Sequence, residues 1–345
     1  MNVLYVAILP WHQKSSTDIL RYQAMCRVVD KCDFVKYPSL HGFISRVRHY
    51  LFNKGLPIQS YYAKEADNEL LSKVEENTYD VIWIDKVWAL NPNVLKQIRR
   101  ISPKTKIVSY TADNMALRHN QSLFFLKSIP LYDLHVTTKS YILDDMKKLG
   151  AKDIMFTLQT FAPELHKPMT LTKEEQEYLG AEVGFIGAWE KERCNSLCYL
   201  ADNGIKVKIF GGGKWAEYAN YSKNMTIVNK MLTDESYPKA FSTFKISPCF
   251  LRKMNFDQQT SRSVEIPASG GFMLAERTKE HQALFEEGKE AEFFSSDEEL
   301  LQKCKYYLKH EEERIRIKEQ GTKRCHTSGY TNDEMIKRVL NYLVR

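Results

Sequence analysis

The first half of the chain alternates short apolar runs with longer amphipathic segments. Strands are predicted for the runs Val3–Leu9, Phe34–Tyr37, Asp80–Asp85, Lys106–Tyr110 and Leu134–Thr137. Helices are predicted where apolar residues recur every three or four positions: Asp18–Val29, Asn68–Glu76, Pro92–Arg100 and Ser140–Leu149. Thr17 stands where a residue capping the first helix is expected. Strands that are apolar on both faces and separated by helices are typical of a parallel sheet covered by helices.

This pattern stops and then restarts in the second half. Residues 166–180 are polar, carry Pro168 and end in a charged run, so they predict a linker. Further strands are predicted at Glu182–Ile186, Lys206–Phe210, Thr243–Ser247, Phe272–Ala275 and Glu292–Phe294. Further helices are predicted at Glu190–Asp202, Asp297–His310, Glu311–Cys325 and Thr331–Leu343. We expect an α/β protein with two doubly wound Rossmann-like domains, residues 1–165 and 181–328, that face a central cleft, and a last helix, 329–345, that returns to the first domain.

Composition narrows the classes of protein that remain. The apolar share of 43% is ordinary for a globular chain, and no apolar run approaches the ~20 residues that cross a bilayer. The short apolar start is interpreted as a buried strand rather than a signal peptide. The seven cysteines are scattered, which favours a reduced, cytoplasmic chain, and no Cys/His cluster has metal-ligand spacing. We expect no metal site.

The net charge of +7 lies mostly in the first half, where 22 Lys/Arg face 16 Asp/Glu up to residue 165. An apolar stripe at helical spacing in that half has basic neighbours, Arg46, Arg48 and Lys54. A helix of this kind could rest on the inner face of an anionic membrane. A docked core helix with a basic outer face has the same pattern, so both interpretations stay open. No feature indicates a nucleic-acid partner.

Several candidate residues follow predicted strands, where ligands of α/β proteins bind. In the second half, Gly187 precedes a helix that carries Arg193, and a glycine run follows the next strand: Gly211, Gly212, Gly213 and Lys214. Glycines at such positions can offer N–H groups to a phosphate, or they can form a plain tight turn. The run matches neither the P-loop pattern nor the dinucleotide fingerprint.

The first half offers candidates for a catalytic base. Asp113 and His119 follow the strand predicted at Lys106–Tyr110, and His12 follows the first strand. An acid or a histidine at the carboxyl end of a strand could accept a proton from an acceptor hydroxyl. Each could equally be a turn former or a polar surface residue.

One segment, Thr260 to Leu274, combines charged and small residues before an apolar run. It predicts a short helix, a turn at Gly270 and Gly271, and a buried strand. Arg262 and Glu265 are three positions apart and therefore share one helical face. Upstream lie Arg252 and Asp257. Basic side chains can approach phosphate oxygens and a carboxylate can accept hydrogen bonds from sugar hydroxyls, so the segment suits a phosphorylated, hydroxyl-rich ligand.

This segment resembles the carboxyl-terminal domain of GT-B glycosyltransferases of the spore-maturation-protein-like group, relatives of the retaining family 4. The resemblance rests on the motif residues Thr260, Arg262, Glu265, Ile266, Pro267, Ala268, Gly270, Gly271, Gly288, Glu290, Ala291 and Phe294. Val264 stands where phenylalanine is usual and Ser269 where cysteine is common. The similarity covers about the last half of the chain.

The resemblance implies a transferase that moves a sugar from a nucleoside diphosphate sugar to a saccharide, lipid-linked glycan or protein acceptor. It implies no cofactor and no metal, the nucleotide sugar being a substrate. Glu265 matches the family glutamate that touches the ribose, and Asp257 occupies the position of the glutamate near the transferred sugar. Gly270 and Gly271 would then let the diphosphate approach the backbone, and Arg262, together with Arg252 or Lys253, would neutralise its charge. A sugar-binding scaffold without turnover and a nucleotide-sugar epimerase remain alternatives.

Overall fold

The computed structural model describes residues 1–9, 15–38, 47, 50–52, 56 and 60–344. The chain forms two compact units: residues 1–158 together with 332–345, and residues 159–331. His12, the three basic residues Arg46, Arg48 and Lys54, and most of the apolar stripe beside them lie outside the described residues. Each unit is described by itself.

The first unit is built on a six-stranded parallel sheet. Its strands are β1 (Asn2–Ala7), β2 (Lys31–Lys36), β3 (Val81–Asp85), β4 (Lys106–Thr111), β5 (Leu134–Thr137) and β6 (Ile154–Phe156). They lie side by side in the order β2-β1-β3-β4-β5-β6. The helices of this unit include Thr17–Val28, Tyr61–Glu76, Pro92–Ile101, Leu123–Ser128, Leu143–Lys148 and Asn332–Leu343.

Alternate residues of the strands fill two cores, one on each face of this sheet. Val3 and Tyr5 pack on one face with the helix Thr17–Val28 and with Met335 of the last helix. Leu4 and its alternates pack on the other face with the helices Tyr61–Glu76 and Pro92–Ile101. Burial on both faces explains why these strands are apolar runs rather than alternating patterns. The first helix is capped by Ser16 and not by Thr17, because the Ser16 hydroxyl accepts from the Ile19 N–H at 3.4 Å.

The second unit repeats the architecture. Its strands are β7 (Ala181–Ile186), β8 (Val207–Phe210), β9 (Met225–Val228), β10 (Phe244–Cys249), β11 (Met273–Glu276) and β12 (Glu292–Phe294). They are parallel and lie in the order β12-β11-β10-β7-β8-β9. The helices include Lys173–Leu179, Lys191–Asp202, Ser236–Thr243, Arg262–Ala268, Lys279–Leu284, Asp297–Lys309 and Glu311–Thr327. The predicted α/β class with two doubly wound sheets is confirmed.

The expected linker is partly helical. Lys173–Leu179 forms a helix whose first turn is closed by a capping box, in which Thr172 and Glu175 each bond the other's backbone N–H. Within the described part of the chain, no helix is both long and apolar enough to cross a membrane.

Candidate functional site

The order of the strands in the second sheet reverses between β7 and β10. From β7 the chain runs outward through β8 and β9, then crosses back to β10 and runs outward through β11 and β12. The loops that leave the carboxyl ends of β7 and β10 therefore diverge to opposite sides and leave a crevice between them. Open α/β sheets bind ligands in such a crevice.

Three arginines from the segments that follow β7 and β10 form what we term the arginine cluster: Arg193, Arg252 and Arg262. The Arg193 guanidinium donates to Glu190 Oε2 at 2.9 Å, and the Arg252 Nε donates to Glu190 Oε1 at 3.1 Å. The Arg262 Nε, from the helix after β10, donates to the carbonyl of Ile186 at the end of β7, at 3.0 Å. The last bond joins the helix that follows β10 to the end of β7, across the crevice.

The electrostatics of the cluster favour an anionic ligand. Burial lowers the pKa of Arg193, and the charges of Arg262 and Arg252 lower it further, although Glu190 opposes them. The Arg193 Nε is buried and finds no hydrogen-bond partner among the described residues. Like charges that lie close together and a buried donor without a partner both cost free energy. A bound phosphate would offset this cost, because it accepts several charge-assisted hydrogen bonds.

Glu265 lies about one turn after Arg262 on the helix Arg262–Ala268, and it has two polar neighbours. Tyr237 donates its hydroxyl to Glu265 Oε2 at 2.6 Å, and His166 Nε2 lies 3.8 Å from Glu265 Oε1. Burial lowers the pKa of His166 despite the nearby Glu265 charge, so the ring is neutral. His166 Nδ1 accepts from the Ala162 N–H at 3.1 Å, which leaves the proton on Nε2, facing the carboxylate. Tyr237 therefore orients one oxygen of the Glu265 carboxylate by a hydrogen bond, and His166 lies beside the other oxygen.

The loop after β10 carries Arg252 and is anchored by Glu276, at the end of β11. Glu276 Oε1 accepts from the Leu251 N–H at 2.9 Å, and Lys253 pairs with its other oxygen. Asp257 lies in the same loop, and its N–H donates to the Arg252 carbonyl at 3.3 Å. A pocket of about 340 Å³ opens along this edge and is lined by Arg193 of the arginine cluster and by Glu190, which pairs with that cluster.

Gly187 and Gly211 serve close packing in this structure, and their N–H groups are not available to a ligand. The Gly187 N–H donates to Phe210 O at 3.0 Å and the Gly211 N–H to Val228 O at 3.2 Å, so both donors are used within the fold. A Cβ on Gly211 would lie 2.4 Å from the Gly187 carbonyl oxygen. The two glycines therefore let β7 and β8 end side by side.

We expect Gly211→Ala to lower the free energy of unfolding by about 1–3 kcal/mol, because the added methyl group overlaps backbone. Gly212→Ala is the matched control. Its Cβ would meet only Asn229 Oδ1, at 3.9 Å, so stability should be unchanged. Denaturant unfolding of both variants is the measurement, and equal stabilities would contradict the packing role.

The remainder of the glycine run starts a short 3₁₀ segment, Gly213–Tyr218. Gly213 has φ +68°, a conformation that side chains disfavour. The Lys214 ammonium lies over the Trp189 ring, 3.9 Å from its centroid, which is a cation–π contact. Lys214 is thus held by an aromatic face, and the structure does not bring it into the arginine cluster by any contact described.

Gly270 and Gly271 lie at the other end of the sheet, before β11 begins. The Gly270 N–H donates to Pro267 O and the Gly271 N–H to Ile266 O, both at 2.9 Å, which closes the helix Arg262–Ala268. Gly270 has φ +76°, as expected after a helix end. The two glycines were expected beside a diphosphate, but the structure places them at the amino edge of β11 and uses their N–H groups in the cap.

A buried Ser263–His281 pair fixes the amino end of the helix that carries Arg262. His281 Nδ1 donates to the Glu276 carbonyl at 2.6 Å, so Nε2 accepts from the Ser263 hydroxyl at 2.7 Å. Acceptance at Nε2 requires a neutral ring, and burial lowers the pKa of His281 to about 4. Sequence reasoning missed His281, Glu276, Tyr237 and His166.

This pair predicts a dependence of stability on pH. Between pH 6.5 and 4 the unfolded chain protonates His281 and the folded chain does not, so the free energy of unfolding falls as the pH is lowered. At pH 5 the expected loss from His281 is about 2 kcal/mol relative to pH 7. Denaturant unfolding at both pH values should show a smaller dependence in His281→Asn. An unchanged dependence would contradict the assignment.

In the first unit, Asp113 follows β4 and pairs with Lys86, which follows β3 in a left-handed conformation with φ +50°. His119 is exposed on the 3₁₀ turn Arg118–Asn120. A buried ion pair lies at the same edge. The Arg21 guanidinium bonds both oxygens of Asp85, at 2.6 and 3.2 Å.

Among the described residues, no group of three or more His, Cys, Asp or Glu side chains could hold a metal ion.

The comparisons with known proteins agree with this architecture. Residues 193–341 match the family described as glycosyl transferase-like. No curated protein matches the sequence. Anabaena HepE, solved in complex with UDP-glucose, has a TM-score of 0.67 at 11% identity, over 99% of this chain and 100% of that one.

Two further solved structures have the same fold. Sucrose-phosphate synthase from Thermosynechococcus elongatus has a TM-score of 0.66 at 10% identity, over 100% of this chain and 99% of that one. A glycosyltransferase from Rickettsia africae has a TM-score of 0.67 at 10% identity, over 99% and 97%. The fold is that of the GT-B glycosyltransferases, and residues 193–341, which contain the whole arginine cluster, are the part of the chain that is similar to the glycosyl transferase-like family.

Proposed function

We propose that the protein is a glycosyltransferase that uses a nucleoside diphosphate sugar, and that its second unit binds this donor. The observation that carries the proposal is the arginine cluster, Arg193, Arg252 and Arg262, at the point where the strand order reverses. A diphosphate supplies the negative charge and the acceptor oxygens that these guanidinium groups lack. HepE, solved with UDP-glucose, makes a uridine nucleotide the first donor to test.

In the proposed reaction, the bond between the sugar and the diphosphate breaks and negative charge develops on the leaving phosphate. Fixed positive groups stabilise that charge more strongly in the transition state than in the bound substrate. The arginine cluster would supply them. If configuration is retained, as in the retaining family 4, the leaving phosphate can take the acceptor proton and no strong base is needed. If configuration is inverted, Asp113 is the first candidate base and His119 the second.

The acceptor is proposed to be a saccharide, a lipid-linked glycan or a protein, bound by the first unit. The proposal includes the narrower kinship with the spore-maturation-protein-like group. It requires no cofactor and no metal, because the arginine cluster takes the charge-stabilising role that a metal ion has in other transferases.

A panel of UDP-, GDP-, ADP-, TDP- and CMP-sugars tests the proposal by thermal shift. A donor at a hundred times its dissociation constant should stabilise the protein by about 2.7 kcal/mol. The ligand that stabilises should also release its nucleotide with a suitable acceptor present and with EDTA in excess. Binding without release would indicate a scaffold, a new nucleotide sugar without acceptor would indicate an epimerase, and no binding in the panel would contradict the proposal.

We expect Glu265→Gln to weaken nucleotide binding by about 1–3 kcal/mol, because an amide accepts ribose hydroxyl hydrogen bonds less strongly than a carboxylate. Tyr237→Phe removes the hydroxyl that orients Glu265 and keeps the carboxylate. It should weaken binding less. Calorimetry with the free nucleotide is the measurement, and wild-type affinity in Glu265→Gln would remove this residue from the donor site.

A further inference from the structure

Two cysteines of the first unit face each other across the helix Thr17–Val28 and the edge strand β2. The rings of Tyr22 and Phe34 are in contact, with their centroids 5.1 Å apart. β1 and β2 are parallel, so the helix that connects them runs antiparallel to β2. Cys26 lies one helical turn after Tyr22, and Cys32 lies two strand residues before Phe34.

The two offsets are nearly equal in length. Four helical residues advance about 6 Å, and two strand residues advance about 6.6 Å in the matching direction. Residues one turn apart lie on the same face of a helix, and residues two apart in a strand lie on the same face of a sheet. The contact between Tyr22 and Phe34 therefore continues in a contact between Cys26 and Cys32. The chain reverses at Val29 and Asp30, which keeps this end of the helix close to the strand.

The environment of the pair favours reaction at Cys26. Cys26 is exposed and Cys32 is half-buried, whereas the remaining cysteines, Cys194, Cys198, Cys249, Cys304 and Cys325, are buried. Hydrogen bonding from the Cys32 thiol lowers the pKa of Cys26 to about 6, with further help from Tyr22 and Arg27. The same contact raises the pKa of Cys32. One exposed thiolate beside one protonated thiol is the arrangement of a nucleophile and a resolving cysteine.

We propose that Cys26 and Cys32 form a thiol–disulfide exchange site, which small disulfides such as oxidised glutathione convert to an intrachain disulfide. The Cys26 thiolate attacks one sulfur of the glutathione disulfide, whose S–S bond breaks and releases one glutathione thiolate. Cys32 loses its proton to solvent and attacks the Cys26 sulfur, which expels the second glutathione. Two electrons pass from the protein to the reagent, which ends as two glutathione thiols. The inference is independent of the glycosyltransferase proposal.

The test is incubation of the folded full-length protein with oxidised glutathione at neutral pH, followed by acid quenching, alkylation of free thiols and peptide mass mapping. We expect a Cys26–Cys32 disulfide, with loss of two hydrogens from the intact mass, before any other cysteine reacts. The Cys194–Cys198 contact is the internal control, because those thiols also touch but are buried. If neither Cys26 nor Cys32 reacts before the buried cysteines, the proposal is wrong.

Variants separate the two roles. Cys32→Ala should stop at a stable mixed disulfide of glutathione with Cys26, and Cys26→Ala should leave Cys32 unmodified. The rate of Cys26 alkylation against pH should have its midpoint near 6 in the wild type and at a higher pH in Cys32→Ala. Glutathione that stays on Cys26 in the wild type, or a midpoint unaffected by Cys32→Ala, would overturn the proposal.

Discussion

An Arg262→Leu variant should show a fall of about 10²- to 10³-fold in kcat/KM for the nucleotide-sugar donor, the range for loss of one fixed group that stabilises developing charge. Arg262 reaches from the helix after β10 to the carbonyl at the end of β7, so its guanidinium lies across the crevice where the diphosphate is proposed to bind. Arg262→Lys keeps the charge but not the planar fork, and its loss should be smaller. Steady-state kinetics with varied donor is the measurement.

Arg324→Leu is the matched control for this prediction. Its Nε also donates to a main-chain carbonyl, that of Leu284, at 3.1 Å, and it also belongs to the second unit. It has no contact with the arginine cluster in the described interactions, so its donor kinetics should equal those of the wild type. Equal losses in Arg262→Leu and Arg324→Leu would show that the effect comes from stability, and wild-type kinetics in Arg262→Leu would remove the residue from the donor site.

An Asp113→Asn variant should lose about 10²-fold or more in turnover if the reaction inverts configuration, since a positioned base contributes that much. Its affinity for the nucleotide should remain near the wild-type value, because Asp113 belongs to the first unit and the arginine cluster to the second. If the reaction retains configuration, the loss should be smaller and appear mainly as a raised acceptor KM. Product stereochemistry by NMR decides which case applies.

Asp33→Asn provides the control. Asp33 pairs with Lys31, and its side chain is 27% exposed, close to the 24% of Asp113 paired with Lys86. It lies on the edge strand β2 and not after the end of β4, so its removal should leave turnover and acceptor KM unchanged. Wild-type kinetics of Asp113→Asn with every acceptor that receives the sugar would remove Asp113 from the site and make His119 the next candidate base.

Much of the fold follows from the sequence because most central strands are buried on both faces and therefore read as apolar runs. The elements that sequence reasoning missed lack that signal. β6 (Ile154–Phe156) and β9 (Met225–Val228) are edge strands of three and four residues and are only partly buried. The helix Ser236–Thr243 carries Pro238 near its start and is short, so its pattern does not stand out from a loop.

The candidate site was only partly predictable, for a different reason. Arg193 and Arg252 each follow a predicted strand, and that rule selected them. Arg262 was selected instead by the composition of the segment Thr260–Leu274 and by its match to the family motif. Tyr237 and His166 meet Glu265 through tertiary packing, and no local pattern marks them. Glu276 directly follows the predicted strand Phe272–Ala275, so the strand-end rule could have found it. For Gly270 and Gly271 the sequence pattern is ambiguous, because a glycine pair is equally suited to the end of a helix and to a phosphate site.

The order of the two units along the chain has a consequence for folding during synthesis. The core of the first unit includes Met335, Ile336, Val339 and Leu340, which are translated only after the whole of the second unit, residues 159–331. Until then one face of the first sheet has no helix over that part of its apolar surface. The second unit is contiguous, so its core can be completed before the core of the first unit. Domains usually fold in order from the amino terminus, and here the two cores are completed in the reverse order. A chain that ends before Asn332 should therefore contain a folded second unit and a first unit whose core is incomplete and aggregation-prone.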